Sequence, residues 1–276
     1  MEHIRIARDG AVGTLTIDRP ARFNSLDVAT ARDLRKAGLQ LARDESVRAV
    51  VLRGTGGVFC SGADLKYIRA GGDGALGYLH PASRATPPGH GEVFKQILEY
   101  LHSTISEIRR SPKPWIAAVD GVAAAGGLGL ALCCDLVAAS ARSTFEYAYF
   151  KTALCGAESS TFFLPRLVGL RRAMDLALLN PRLDAAAAER IGLVSTVFPD
   201  ATFEADVAAL ARRLAEGPTR SYAAAKQLMN EAAGVDRLDY HLDREIEQLV
   251  RSADSEDFAE GLAAFFEKRP PRFRGR

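Results

Sequence analysis

The sequence predicts an α/β fold in which parallel strands alternate with crossover helices, followed by an all-helical segment. Two observations support this prediction. Within residues 1–200, short apolar runs typical of buried strands, such as 48–52 and 115–119, alternate with longer runs that have helical periodicity. From Phe203 onward the pattern is helical throughout. We therefore expect a core at residues 1–200 and a helical C-terminal appendage for subunit packing at residues 201–276.

Composition limits the classes of function. The 276 residues are 47% hydrophobic, which is enough to bury a substantial core. Because 36 Lys and Arg face 34 Asp and Glu, the net charge of +2 gives no electrostatic reason to expect nucleic acid or an anionic membrane as a partner. No apolar run approaches a membrane span, and the N-terminus has no signal-peptide core. We expect a cytoplasmic protein.

The four cysteines form no Cys-x-x-Cys unit and lie among apolar residues; they are Cys60, Cys133, Cys134 and Cys155. This setting favours buried thiols over disulfides or metal ligands, so we expect no metal site.

The first elements follow from local signals. Alternating apolar residues on both sides of Asp9-Gly10 predict a hairpin. A helix is expected from Ser25 to about Arg43, before the strand at 48–52. Residues 69–91 are rich in Gly and Pro, which predicts a long surface loop of the kind that often serves as a lid over a binding site. A helix at 92–110 then leads into the central strand.

Further strands are expected at 136–139, near 144–147 and at 194–198, separated by short helices. Four helices are expected in the C-terminal segment, at about 203–216, 219–233, 237–252 and 256–268.

The stretch Lys113–Cys134 has the strongest chemical signal. A strand at 115–119 runs through small residues into Gly126-Gly127, where an apolar helix begins. A helix start has free N–H groups and a positive dipole end, and glycine lets another molecule approach the main chain. Because no His, Ser or acidic side chain lies between Val122 and Cys134, the donors must be backbone amides. This pattern predicts an oxyanion hole for a carbonyl or thioester oxygen.

A second corner of the same kind follows the strand at 48–52. The segment Phe59–Lys66 reads as a strand, a tight turn at Gly62 and a helix start. Two such corners can direct two amides at one oxygen.

These corners and their surroundings resemble the crotonase superfamily, also called the enoyl-CoA hydratase/isomerase family. The matching segments cover nearly the whole chain: Arg19-Pro20, Asn24-Ser25-Leu26, Phe59–Leu65, Lys113–Gly121, Gly126-Gly127, Cys134-Asp135, Leu164–Gly169 and Ile191–Val194. Their order and spacing together are highly specific for this family.

The resemblance implies a fold of stacked ββα units with parallel-rich sheets, and a role in acyl-CoA and fatty acid metabolism. It implies that the amides of Ala63 and Gly126 bind the thioester oxygen. It places Arg22 and Lys66 near the CoA phosphates and the backbone of Ser61 and Ala63 near the adenine. The substrate carries the CoA, so no separate cofactor is expected, and the expected assembly is a homotrimer or homohexamer.

Glu158 is the candidate proton carrier. It lies in the segment 156–160 among small neighbours that open a helix, without a cation nearby in sequence. Enclosure by apolar groups would raise its pKa toward the range useful at neutral pH. An acid that only interacts with the dipole at the helix N-terminus would have the same neighbours. Residue type alone therefore does not distinguish a proton carrier from such an acid.

The family pattern bears on this choice. Counting along the resemblance, the two glutamates of the hydratases fall on Gly129 and Tyr149, so both are missing. Isomerases and 4-chlorobenzoyl-CoA dehalogenases place an acid at a position that counts to Ala157, one residue before Glu158.

The role of Tyr149 is open at this point. Tyr149 could donate a hydrogen bond or take up a proton, or it could be part of an aromatic wall of the acyl pocket. Near the C-terminus, Phe265 and Lys268 resemble family residues that reach the CoA of a neighbouring subunit.

The resulting hypothesis is an acyl-CoA enzyme that stabilises a thioester enolate with two amides, with isomerisation favoured over hydration because a single acid is available. The alternatives are a hydratase, another crotonase reaction such as dehalogenation or thioester hydrolysis, and a non-catalytic acyl-CoA-binding homologue.

Overall fold

Two parallel-rich sheets carry the fold in a computed structural model that describes residues 1–72 and 89–276. Most of the loop expected at 69–91 lies outside the described residues. The strands are β1 (Ile4–Asp9), β2 (Val12–Ile17), β3 (Ala49–Gly54), β4 (Val58–Cys60), β5 (Trp115–Val119), β6 (Val122–Ala124), β7 (Leu136–Ser140), β8 (Thr144–Glu146), β9 (Leu183–Asp184) and β10 (Thr196–Phe198).

The helices are α1 (Val28–Arg43), α2 (Leu65–Arg69), α3 (His90–Arg110), α4 (Gly126–Leu132), α5 (Ser160–Val168), α6 (Leu170–Leu178), α7 (Ala185–Arg190), α8 (Phe203–Glu216), α9 (Thr219–Ala232), α10 (Leu238–Ala253) and α11 (Glu256–Glu267). Short 3₁₀ turns occur at Pro20–Arg22, Tyr149–Thr152 and Val235–Arg237.

From β3 to β8, consecutive strands alternate between the two sheets. One sheet has the order β1-β2-β3-β5-β7-β10 and the other has the order β4-β6-β8-β9. The pairs β3–β4, β5–β6 and β7–β8 each give their first strand to the first sheet and their second to the other, and α2, α4 and α5 follow them. Among the described strands, only the pairs β1–β2 and β8–β9 are antiparallel. This arrangement of stacked ββα units confirms the predicted fold class.

The central strand β5 is buried along its whole length. It pairs in parallel with β3 on one side and β7 on the other, where Ile116 is opposite Val51 and Leu136. A strand covered on both faces needs a nearly continuous apolar run, and 115–119 has one.

Several element boundaries differ from the sequence prediction. The first helix starts at Val28 because the Asp27 carboxylate caps it by accepting from the Thr30 amide at 2.8 Å. Helix α3 starts two residues early, at His90. Strand β10 is shorter than 194–198 because the Val194 amide still donates to the Ala188 carbonyl at the end of α7.

The C-terminal helices pack against the sheets and the site. Apolar residues of α8, Phe203, Val207 and Ala211, form a buried cluster with Val51 and Ile116 of the first sheet. Helix α10 lies against α3, and α11 lies against the 3₁₀ turn at 149–152.

Cys60, Cys133 and Cys134 are buried free thiols, and Cys155 is a half-buried one. No helix in the described ranges 1–72 and 89–276 has the length and apolar character needed to cross a bilayer.

Candidate active site

The two glycine corners lie side by side. Strands β4 and β6 pair in parallel, with Cys60 opposite Ala123, so both corners follow the same end of one sheet. Gly62 has a φ of 93°, and a methyl group there would come within 2.9 Å of the Ala125 Cβ and 3.1 Å of the Gly126 nitrogen. Only glycine allows this conformation and this approach.

The amides of Ala63 and Gly126 lie outside the main-chain hydrogen bonds that fix the two corners in the described part of the chain. Leu26 pairs with the residues on both sides of Ala63: its amide donates to the Gly62 carbonyl at 2.8 Å, and its carbonyl accepts from the Asp64 amide at 2.9 Å. The Ala63 amide therefore points the other way. Gly126 is the first residue of α4, outside the intrahelical ladder. Within the part of the chain that the structure describes, neither amide donates to another protein group.

Ala125 holds the Gly126 amide in place. Its φ of 47° and ψ of −119° are outside the regions that non-glycine residues favour, and its own amide donates to the Glu146 carbonyl at 3.1 Å. Such conformations cost about 1–3 kcal/mol and persist where the surroundings enforce them, often at functional sites.

Six of the predicted site residues line one cavity. Its volume is about 360 Å³, and its walls include Ala63, Glu158 and Tyr149 together with Arg22, Ser61 and Lys66. Gly126 lies next to the cavity residue Glu158, because a Cβ on Gly126 would lie 2.9 Å from the Glu158 Cδ. The folded chain thus places the candidate acid directly beside the candidate oxyanion amide.

Glu158 is buried with 2% of its surface exposed. Both Glu158 and Ser159 have left-handed backbones, with φ of 49° and 62°. Burial raises the pKa of Glu158 to about 7; the hydrogen bond from Tyr149 acts in the opposite direction, and the charge of Glu245 adds to the rise. A carboxyl with such a pKa can both take and give a proton near neutrality.

Gly129 explains why the first hydratase glutamate has no place in this chain. A methyl group on Gly129 would lie 2.1 Å from the Glu158 carbonyl oxygen. The backbone of Glu158 therefore occupies the space that a side chain at this position would need.

Tyr149 is a hydrogen-bond donor to the acid. Its hydroxyl donates to Glu158 Oε2 at 2.5 Å and lies 2.9 Å from the Ala157 carbonyl oxygen. Burial and then the charge of Glu158 raise the pKa of Tyr149 well above its ordinary value, which disfavours formation of the phenolate that proton uptake by Tyr149 would need. The ring also packs edge to face on Tyr147, with centroids 4.9 Å apart, so the aromatic-wall interpretation also applies.

Arg22 is anchored at the cavity rim by Asp64, a residue that sequence analysis missed. The Arg22 guanidinium donates to both Asp64 oxygens at 2.5–3.2 Å, and Arg19 adds a bond of 2.8 Å. Burial raises the pKa of Asp64, but the bonds from Arg22 and Arg19 outweigh it and hold the pKa below its usual range. Asp64 also caps α2 by accepting from the Lys66 amide. Its position directly before a helix start is the sequence signal that could have identified it. The side chain of Lys66 is exposed.

A second buried acid, Glu146, also lines the cavity and was missed. It forms ion pairs with Lys151 and Arg182 and accepts from Asn180 at 2.9 Å. Burial raises its pKa, but Lys151 and Arg182 outweigh that effect and keep the pKa below the ordinary value. Glu146 is therefore held as a paired carboxylate. Its partners Arg182 and Asn180 are more than 30 residues away, so among the described residues the only partner near it in sequence is Lys151.

The end of α11 closes part of the cavity within the same chain. Phe265 and Phe266 line it, and the guanidinium of Arg69 stacks 3.6 Å from the centre of the Phe266 ring. Lys268 is exposed at the end of this helix. Contact of Phe265 and Lys268 with a neighbouring subunit stays a prediction.

The chain is similar to known proteins over almost its whole length. The family model described as enoyl-CoA hydratase/isomerase matches residues 7–80 and 89–276. A probable enoyl-CoA hydratase of Rhodobacter capsulatus is 37% identical over 274 residues, 99% of this chain and 98% of that protein. A 4-chlorobenzoyl coenzyme A dehalogenase of an Arthrobacter species is 35% identical over 266 residues, 96% of this chain and 91% of the other.

The 1,2-epoxyphenylacetyl-CoA isomerase of Escherichia coli is 34% identical over 276 residues and the match covers all of both chains. The crystal structure of an enoyl-CoA hydratase from Mycobacterium avium subsp. paratuberculosis superposes with a TM-score of 0.85 at 32% identity, covering 99% of this chain and 98% of the other. Together, the motifs, the ββα fold and these matches show that the chain belongs to the enoyl-CoA hydratase/isomerase family, the crotonase superfamily.

Proposed function

We propose that this protein isomerises the double bond of an unsaturated acyl-CoA by proton transfer through Glu158. The amides of Ala63 and Gly126 would bind the thioester oxygen. The observation that carries this proposal is the buried Glu158 carboxyl lying against Gly126, in the same cavity as the free Ala63 amide.

The proposed reaction of a 3-enoyl-CoA has two proton transfers. Ionised Glu158 removes a proton from the α-carbon, and the electrons of that C–H bond form a dienolate whose negative charge rests on the thioester oxygen. The two amides stabilise this charge by about 3 kcal/mol for each donor. Protonated Glu158 then returns the proton to the γ-carbon, which restores the carbonyl and leaves the double bond between the α- and β-carbons.

The state of the other ionisable groups supports isomerisation over hydration. Hydration engages a second group to activate water. Glu146 is held as an ion-paired carboxylate, and Tyr149 has a raised pKa and is bonded to Glu158. Glu158 is thus left as the group suited to carry a proton, and one carrier is sufficient for a 1,3-proton shift. The name of the Escherichia coli relative, an isomerase of a CoA thioester, is in line with this choice.

The remaining assignments belong to the same proposal. Arg22, Lys66 and the backbone at Ser61 and Ala63 would bind CoA, with the Asp64 carboxylate orienting Arg22. We further propose a cytoplasmic homotrimer or homohexamer that needs no cofactor beyond the CoA of its substrate.

The test is the Glu158→Gln variant, assayed with a 3-enoyl-CoA by the absorbance of the conjugated product. Loss of the proton carrier should lower kcat at least about a hundredfold. The matched control is Glu247→Gln, which removes a half-exposed carboxylate that pairs with Arg244 on α10. It should keep wild-type kcat.

The same assay discriminates the alternatives. Turnover by Glu158→Gln close to wild type would remove Glu158 from the mechanism. Water addition to a 2-enoyl-CoA would identify a hydratase, and chloride release from 4-chlorobenzoyl-CoA a dehalogenase. Binding of CoA esters without turnover and without deuterium exchange at the α-carbon would favour a non-catalytic homologue.

A further inference from the structure

A second buried carboxylate lies behind Glu158, outside the cavity. Glu245 is on α10, and 4% of its surface is exposed. Its Oε2 accepts from the Ser159 amide at 2.8 Å, and its Oε1 accepts from the Thr161 amide at 3.3 Å and from the Thr161 hydroxyl. Three donors from one turn thus converge on a side chain more than 80 residues away in sequence.

These donors belong to the turn that carries Glu158. Two consecutive left-handed residues, Glu158 and Ser159, lead into α5, and each costs free energy that the surroundings must offset. The first N–H groups of α5 need acceptors. The local capping residue does not supply one, because the Ser159 hydroxyl is buried without a partner among the described residues. Glu245 takes over the capping role from α10.

Among residues 1–72 and 89–276, no buried cation neutralises Glu245. His102 of α3 lies with its Nε2 3.5 Å from the carboxylate, but burial lowers the pKa of His102 to about 4, so its ring is neutral at physiological pH. His241 of α10 lies 3.6 Å away, partly exposed, and its Nε2 is 2.8 Å from the Thr161 hydroxyl. The other titratable groups that face Glu158 or Glu245 are Cys60, Tyr147, Tyr149 and Cys155.

We propose that Glu245 is a positioning residue for Glu158: it fixes the Glu158–Ser159 turn and places a carboxylate behind the Glu158 carboxyl. The turn presents that carboxyl to Gly126, and the nearby negative charge opposes a second anion in the same buried space. The catalytic part of this inference rests on the function proposed above, whereas the effect on Glu158 ionisation does not.

The effect of the Glu245 charge and the effect of its side-chain length can be measured separately with two variants. Glu245→Gln removes the charge and replaces one acceptor oxygen with a donor NH₂ group that faces a backbone N–H. Glu245→Asp keeps the charge but shortens the side chain by one methylene, so its carboxylate cannot reach both amides unless α10 moves. Glu247→Gln on the exposed face of α10 is the matched control.

The ionisation of Glu158 can be measured without knowing the reaction. A carboxyl whose folded-state pKa is raised from 4.5 to about 7 stabilises the fold less as pH rises, and this loss occurs between these two values. The difference in unfolding free energy between wild type and Glu158→Gln, measured by urea unfolding at each pH, shows the pH window in which this stability is lost. In the Glu245→Gln background the window should end at a lower pH, because an opposing charge is gone. An unchanged window would overturn the electrostatic part of the proposal.

Kinetics test the positioning part. Glu245→Gln and Glu245→Asp should each lower kcat about tenfold to a hundredfold, as small displacements of a reacting group do. The KM should change less than about twofold, because Glu245 does not line the cavity. Glu245→Asp should keep the pH window of wild type. A kcat within about twofold of wild type for both variants would overturn the positioning role, whereas an active Glu158→Gln would instead overturn the proposed function.

A measurement on the unmodified protein covers the case in which the Glu245 variants do not fold. The Ser159 amide is bound to Glu245 and should exchange with solvent deuterium as slowly as amides of the core strands. Exchange at the rate of an exposed loop would contradict the contact on which the inference depends.

Discussion

The Tyr149 hydroxyl donates a hydrogen bond to Glu158 and lowers its pKa, whereas burial and the charge of Glu245 raise it. Because a donor to a carboxylate favours the charged form, this bond holds the pKa of Glu158 lower than burial alone would. Proton abstraction needs ionised Glu158, so kcat/KM should rise with pH through about 7.

Tyr149→Phe should move that acid limb to higher pH, since the ionised form loses its donor. The measurement is kcat/KM for a 3-enoyl-CoA across the neutral range. Tyr147→Phe is the control, because the Tyr147 hydroxyl donates to the Cys155 carbonyl and not to Glu158. An unshifted limb in Tyr149→Phe would show that this bond does not influence the acid.

Single residues differed in how far sequence could predict them. Glu158 was marked by its small apolar neighbours and its place before a helix. Glu245 could not be identified from the sequence, because its partners Ser159 and Thr161 are far away along the chain. A lone Glu on a helix with a polar face is usually solvated. The hydrogen bond of Tyr149 likewise depends on a 3₁₀ turn that folds the hydroxyl back toward residue 158.

At the scale of elements, the ββα units were predictable as alternating strands and helices, but their division between two sheets was not. Strands β5 and β6 are separated by two residues, Asp120 and Gly121, yet they belong to different sheets. Gly121 allows this switch with a φ of 84°, and its Cα lies so close to the Gly57 carbonyl that a methyl group would come within 1.8 Å of it. Periodicity identifies a strand but does not identify its sheet.

Helix α11 forms part of the cavity wall through Phe265 and Phe266. Gly261 lets it approach the 3₁₀ turn, because a methyl group on Gly261 would lie 2.8 Å from the Thr152 Cα. Gly261→Ala should push α11 and Phe266 outward and raise KM for acyl-CoA about tenfold, the loss expected when about 1.4 kcal/mol of binding free energy is removed.

The KM of Gly261→Ala is measured beside that of Ala259→Ser, which enlarges an exposed residue of the same helix. A KM for Gly261→Ala equal to that of this control would mean that α11 does not shape the binding site.

At the scale of the whole molecule, one face of α6 is apolar and exposed. Leu170, Met174 and Leu178 are spaced by four residues and share one stripe, and Leu179 extends it. Exposed stripes of this kind mark contact surfaces. Together with the family resemblance, this feature leads us to predict association through α6 in a homotrimer or homohexamer.

The double variant Met174→Glu with Leu178→Glu should lower the molecular mass in solution, because charges would be buried in the contact. Light scattering coupled to size exclusion measures this mass, with Lys36→Glu on the exposed face of α1 as the control. Retention of the wild-type mass by the double variant would place the contact elsewhere.

The contact between Gly129 and the Glu158 carbonyl also limits how this chain can diverge. Any mutation that gives residue 129 a side chain collides with the backbone that presents Glu158, so a lineage cannot first gain an acid at 129 and later discard the one at 158. The bend that precedes α5 would have to be rebuilt before the exchange. On this backbone, an acid at residue 129 and the present placement of Glu158 are therefore mutually exclusive.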